Sequence, residues 1–150
     1  MKVIAVVGTK KTGKTTLVTA LIKSLVKYGR VGTIKNMAGH PVDHGDTQRH
    51  FDAGAEEVIG LGENQLKVTM KGSLESALAE LQKDGMDFVI VEGFKHSGLP
   101  KIVLGDIDVP NMLHRVALSD LNDALIDNLI ETILGLNDYE AETGCIEKNC

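Results

Sequence analysis

Gly8-Thr9-Lys10-Lys11-Thr12-Gly13-Lys14-Thr15 sets two glycines, a lysine and a hydroxyl at the spacing G-x-x-x-x-G-K-[ST]. That spacing suits the holding of phosphate oxygens. The glycines let the backbone wrap closely around an anion, and the N–H groups opening the next helix are free donors at the positive end of its dipole. Lys14 would bring a point charge to the β- and γ-phosphates, Thr15 a hydroxyl to Mg²⁺, and Thr16 a donor to the α-phosphate region. A glycine-containing turn can match such a pattern by chance. Here the flanks argue against chance: Val3-Ile4-Ala5-Val6-Val7 before it reads as a buried strand, and Thr15 to Lys27 after it reads as a helix.

Other groups with chemistry stand at the ends of expected strands. Phe88-Val89-Ile90-Val91 is a second fully apolar run, and it ends in Glu92-Gly93. An acidic residue there is placed to hold Mg²⁺, directly or through water, or to orient an attacking water. The plain alternative is a solvated carboxylate at a strand end. The loop after the second strand holds His40, Asp43, His44, Asp46, Thr47, Arg49 and His50. Leaving the strand beside the phosphate loop, it can bring Asp46 or Thr47 to the metal and Arg49 to phosphate charge. Glu92 and Asp46 are thus the candidate catalytic groups, and with Thr15 the candidate Mg²⁺ ligands. A transition-metal site built from the histidines is disfavoured, because Pro41 and Gly45 interrupt any regular presentation and no cysteine is near. Lys35, Lys95 and Lys101, with Lys10 and Lys11, would form a basic mouth suited to a small polyanion. Taken singly, each of these lysines also fits a simple surface position.

The elements that must position these groups alternate along the chain. Leu17, Leu21, Leu25 and Val18, Ile22, Val26 line one face of the first helix, which Gly29 would close as a left-handed cap. Arg30–Lys35 is the expected second strand, Thr47–Ala53 a short helix closed by Gly54, and Glu57–Leu61 the next strand. Leu66–Met70 alternates as a half-exposed strand would. Ser73 caps a helix carrying Leu74, Ala77, Leu78 and Leu81, ended by Gly85. Lys101–Leu104 and Arg115–Leu118 are further strand candidates, and Leu121–Leu134 is the last helix. Such alternation predicts an α/β fold with a mostly parallel central sheet and right-handed crossovers, whose ligand lies at the carboxyl ends of the strands.

Composition bounds the rest. With 150 residues and 43% hydrophobic content, one substantial core is expected over residues 1–136, followed by a flexible polar tail over 137–150. The net charge of −5 argues against a nucleic-acid partner or a basic membrane-facing surface. No apolar run reaches spanning length, and Met1-Lys2-Val3 leads directly into the first strand, so no signal peptide is expected ahead of the fold. Both cysteines, Cys145 and Cys150, lie in the tail, where they cannot cross-link the core; a cytoplasmic location is the default. Two thiols do not complete a zinc or iron–sulfur site in one subunit, although two tails in a dimer could.

Several of these stretches together resemble one family. They are Gly8 to Thr16, the Ile34-Lys35 strand end with its His/Asp loop, Asp46-Thr47-Gln48-Arg49-His50 running to Ala53-Gly54-Ala55, and Val91-Glu92-Gly93-Phe94-Lys95 with Pro100-Lys101-Ile102. In this order they look like the MobB family, molybdopterin-guanine dinucleotide biosynthesis protein B, over most of residues 1–104. The resemblance implies a P-loop NTPase three-layer sandwich that binds GTP with Mg²⁺, hydrolyses it weakly, forms a homodimer in the cytoplasm and takes molybdopterin as a bound ligand. It also implies a partner, the guanylyltransferase MobA, which attaches GMP to molybdopterin. Asn36 stands where the family commonly has histidine, Asp43-His44-Gly45-Asp46 is contracted, and the Cys145/Cys150 tail lies outside the pattern.

Base identity is weakly written in the residues. No N-K-x-D motif is present; Ser119-Asp120 could accept from guanine N1 and N2, and could equally cap a helix. A different class of function, a small-molecule kinase transferring the γ-phosphoryl group of ATP, would normally need an arginine-bearing lid. The arginines are Arg30, Arg49 and Arg115 alone, with no lid insertion. Without an arginine in cis, worth about 10³–10⁵ in rate, hydrolysis should be slow, which suits an adaptor. A nickel-type metallochaperone GTPase would rest on the loop histidines only.

Overall fold

Continuous apolar runs such as Val3–Val7 are what a strand needs when both of its faces are covered. The computed structural model of the protein, which describes residues 1–9, 12–36, 49, 50, 52–61 and 73–141, shows this arrangement. The strands are β1 (Lys2–Gly8), β2 (Val31–Asn36), β3 (Glu57–Leu61), β4 (Phe88–Glu92), β5 (Lys101–Leu104) and β6 (Met112–Val116). The helices are α1 (Lys14–Leu25), α2 (Leu74–Lys83) and α3 (Asp123–Leu134). Among the described residues the strands form one sheet in the order β3-β2-β4-β1-β5-β6. Every neighbouring pair is parallel.

Alternate residues of each central strand feed two separate cores. Ile4, Val6, Ile90 and Ile102 pack with Leu17 and Leu21 of α1 and Leu129 and Ile130 of α3. Val3, Ala5, Val7, Val89 and Val103 pack with Leu74, Leu78 and Leu81 of α2 on the opposite face. The result is a three-layer α/β sandwich with a parallel central sheet.

Several boundaries differ from the sequence reading, each for a local reason. Gly29 does not have the left-handed backbone of a helix cap, since the glycines of positive φ are Gly13, Gly54, Gly85, Gly93 and Gly105. It is needed instead for close approach: a β-carbon there would stand 2.5 Å from Asp87 Oδ2. That same carboxylate accepts the Arg30 N–H at 2.8 Å. β6 begins at Met112 and ends at Val116, and Leu118–Asp120 is a 3₁₀ turn. An edge strand has a partner on one side only, so it lacks the apolar signature of the buried strands. α3 starts at Asp123, not Leu121, because Asn122 caps it by accepting the Leu125 N–H at 2.8 Å. Ser73 caps α2 as expected, exchanging bonds with Ser76 in a capping box.

Arg49, His50 and Asp52 are helical and Gly54 follows with φ 114°, at the place read as a short helix and its stop. The strand proposed at Leu66–Met70 lies outside the described residues. Beyond residue 136, Asp138 and Tyr139 are tied back to the start of the chain. The Asp138 carboxylate lies 3.6 Å from both the Met1 amino group and Lys2 Nζ, and the Tyr139 N–H donates to the Met1 carbonyl at 2.7 Å. Residues 142–150, with both cysteines, are outside the described part. No helix among the described residues is long and apolar enough to cross a membrane.

Candidate functional site

The register of the sheet collects the candidate residues at one end. β1 runs out at Gly8, Glu92 ends β4 beside Val6 of β1, and Lys35 of β2 stands beside Glu92 on its other side. The loop leaving β1 closes on itself: the Thr12 hydroxyl donates to the Thr9 carbonyl at 2.7 Å, and Lys14 Nζ donates to the Gly8 carbonyl at 3.0 Å. Gly13 is the N-cap of α1 with φ 93°, and the first turn carries neither a side-chain cap bond nor an acidic residue. This is the positive end of the helix dipole, where an anion is favoured and no acidic side chain already stands. Gly8 has no room for a side chain, since a β-carbon would meet the Leu104 carbonyl oxygen at 2.6 Å.

Glu92 is the centre of a buried polar chain. Its Oε1 accepts from the Thr15 hydroxyl at 2.9 Å. Its Oε2 lies 3.3 Å from His50 Nε2, an ion-pair distance whose alignment falls short of a hydrogen bond. The other ring nitrogen of His50 is 2.8 Å from the Thr33 hydroxyl. His50 and Thr33 have no exposed surface, and Glu92 is 5% exposed. Burial works against ionisation of Glu92, but the His50 contact, the Lys35 charge and the Thr15 hydroxyl together outweigh it, and the carboxyl lies below the usual glutamate range. A solvated strand-end carboxylate is excluded. Lys14 is shifted too: burial lowers its ammonium pKa, Glu92 opposes that, and the positive charges of Lys35 and Lys95 add to it. The site is thus a cluster of cations around one buried anion, and a bound polyanion would relieve the repulsion among them.

Gly8, Thr9, Thr12, Gly13, Lys14, Thr15, Lys35 and Glu92 come together at this end of the sheet. Thr16 is exposed on the first turn of α1, and Lys95 is exposed in the turn after β4. Arg49 is exposed on the helical turn that carries His50. Lys10, Lys11 and Asp46 lie outside the described residues. Lys101 does not belong to the basic mouth. It opens β5 opposite Ala5, below the strand ends, and is fully buried. Its ammonium group is held by the carbonyls of Ser97, Leu99 and Pro110. That is a structural lysine closing the loops on either side of β5.

His50 is the functional-site residue that sequence reasoning passed over. In the sequence it stands only as one of the loop histidines, for which a transition-metal site is disfavoured. The available signal was its spacing: His50 and Ala53 share one face of the short helix, and Ala53 belongs to the core. As for metal, no group of three or more His, Cys, Asp or Glu residues forms a closed set among the described residues. The Thr15 hydroxyl and the Glu92 carboxylate are oxygen donors, and Glu92 Oε2 is buried without a hydrogen-bond partner. They fit a hard cation such as Mg²⁺, which takes few protein oxygens and completes its shell with phosphates and water.

Comparisons with known proteins show the family and the fold. The profile of the MobB family, described as Molybdopterin guanine dinucleotide synthesis protein B, matches residues 3–121. A protein of Methanocaldococcus jannaschii named "Putative molybdopterin-guanine dinucleotide biosynthesis adapter protein" is 33% identical over 144 residues, taking in 89% of this chain and 61% of its own length. The chain therefore spans less than two thirds of that relative. The crystal structure of a MobB protein homolog from Bacillus stearothermophilus superposes with a TM-score of 0.62 at 24% identity, covering 91% of this chain and all of the other. Bacillus subtilis MobB gives 0.59 at 21% identity, with the same coverage. At those identities the structural likeness is one of fold.

Proposed function

The chain belongs to the MobB family, and from that premise we propose that it is a GTP-binding accessory protein that assists the formation of molybdopterin guanine dinucleotide. The observation that carries the reading is the meeting of Lys14, Thr15 and Glu92 at the N-terminus of α1. Gly8, Thr9, Lys10, Lys11, Thr12 and Gly13 wrap the phosphates with their backbone N–H groups. Lys14 leaves the Gly8 carbonyl for the β- and γ-phosphates, and Thr16 serves the α-phosphate. Thr15 and Glu92, with Asp46, hold Mg²⁺. Lys35, Lys95 and Arg49 offset phosphate charge around the mouth.

Mg²⁺ would supply charge neutralisation at the phosphates. The protein's own part in hydrolysis is small. Glu92 is pinned by the Thr15 hydroxyl on one oxygen and crowded by His50 on the other, which restrains it from acting as a mobile base. Slow turnover suits a protein that holds nucleotide, and molybdopterin with it, for a partner guanylyltransferase in the cytoplasm. A homodimer is the expected assembly.

The test is calorimetric titration with GTP, ATP and their diphosphates in Mg²⁺, with hydrolysis followed on the same sample. Preference for GTP, very slow turnover and measurable binding to the guanylyltransferase are the expected results. Preference for ATP, or turnover that appears only with an added small-molecule acceptor, would overturn the reading in favour of a kinase.

A further inference from the structure

The 3₁₀ turn Leu118–Asp120, between β6 and α3, stands against the phosphate loop. A β-carbon at Gly13 would lie 2.8 Å from Leu118 Cδ1 and 2.9 Å from Cδ2, so the leucine side chain covers the last glycine of the loop. Leu118 is nevertheless 44% exposed, one of few large apolar side chains left open to solvent among the described residues. Gly105 flanks the loop on the β5 side, where a β-carbon would stand 3.6 Å from both Thr9 Oγ1 and Thr12 Cγ2. Arg115, on β6, fastens residues 105–108 by donating to the Gly105 and Ile107 carbonyls and pairing with Asp108 at 3.8 Å.

The capping alternative for Ser119 and Asp120 is excluded, because Asn122 caps α3. Asp120 uses its backbone N–H within the turn, bonding the Ala117 carbonyl at 2.9 Å. Its exposed carboxylate enters no hydrogen bond or ion pair with the described residues. An apolar platform beside a phosphate loop, followed two residues later by an unengaged carboxylate, has the layout of a nucleobase site. The platform stacks on a ring face and the carboxylate reads a ring edge.

We propose that Leu118 supports the face of the nucleotide base and that the Asp120 carboxylate selects guanine by accepting from its N1–H and N2–H groups. Adenine in the same pose presents the N1 lone pair to the carboxylate, which leaves an acceptor facing an acceptor. The inference rests on the phosphate-site reading above and adds to it the residue that chooses the base.

The experiment uses GTP, ATP, xanthosine triphosphate and inorganic pyrophosphate titrated into the wild type and Asp120→Asn. Xanthine carries a carbonyl where guanine carries its amino group. An asparagine amide can donate to that carbonyl while its oxygen accepts from N1–H. The variant should lose GTP affinity by about a hundredfold, gain xanthosine triphosphate binding, and keep its pyrophosphate affinity. Unchanged pyrophosphate binding also shows that the variant is folded. A variant that keeps its preference for GTP, or loses GTP without gaining the xanthine nucleotide, overturns the assignment of Asp120 while GTP binding stands. A wild type that does not distinguish GTP from ATP overturns the guanine reading itself. Loss of pyrophosphate binding in Lys14→Ala but not in Asp120→Asn keeps the two sites separate.

Discussion

His50 Nε2 and Glu92 Oε2 lie 3.3 Å apart inside the protein, the ring without exposed surface and the carboxylate nearly so. The ring is clasped from its other side by Thr33, so one histidine joins the middle of β2 to the end of β4. Removing it in His50→Ala leaves a buried carboxylate oxygen and a buried hydroxyl facing a cavity. The expected cost is about 3 kcal/mol of unfolding free energy, from the unpaired groups and the lost packing together. Urea denaturation should show a lower midpoint with an unchanged slope. A loss below about 1 kcal/mol would mean that water takes the ring's place without penalty.

Lys14 should behave oppositely, because its work is on a ligand. In the unliganded protein its charge is held where burial and two neighbouring lysines disfavour it. Lys14→Ala should therefore unfold at the same temperature as the wild type or slightly higher. Nucleotide affinity should fall at least about tenfold, from the loss of charge-assisted hydrogen bonds. Calorimetry beside a thermal melt reads both quantities, and an unchanged affinity would rule out the phosphate-loop assignment.

What was legible in the sequence follows from the range of the interactions involved. β1, β4 and α1 could be read because each is specified by its own residues: unbroken apolar runs for strands covered twice, and four-spaced rows for a helix covered once. The glycine–lysine loop could be read for the same reason, since its fixed positions lie within one turn. The His50–Glu92 contact could not, because nothing local in either segment points to the other. Lys101 looked like a surface lysine before an apolar run; only the path of the flanking loops brings three carbonyls to its ammonium group. Ser119, Asp120 and Asn122 are all cap-forming types, and packing alone decides that Asn122 takes the role.

Gly13 combines two demands that a side chain would violate. Its φ of 93° lies where a β-carbon is strained, and that β-carbon would strike Leu118. Gly13→Ala should destabilise the protein by about 1–2 kcal/mol and displace the leucine. The displacement distinguishes this from simple strain. If Leu118 supports the base, GTP affinity falls more than pyrophosphate affinity does. Equal losses for the two ligands would confine the effect to the backbone of the loop.

Glu92→Gln separates the carboxylate's charge from its shape. The amide oxygen can still accept from the Thr15 hydroxyl and the amide nitrogen can face the His50 ring, so the fold and nucleotide binding should survive, at a cost of about 1 kcal/mol near neutral pH. Any hydrolysis should fall if the charge helps to hold Mg²⁺ or orient water; a variant that hydrolyses as the wild type does would leave Glu92 with a structural role only. The pH dependence gives a second reading. The native carboxyl titrates below the ordinary value of 4.5, so the unfolded chain takes up its proton first as pH falls. The wild type's advantage over Glu92→Gln is thus fully present above that value. It declines as pH drops through the native pKa and is gone below it, because both forms are then neutral. Denaturation midpoints of the two proteins should converge at the acid end. Midpoints that run parallel down the whole range would mean that the carboxylate gains nothing from its neighbours on folding.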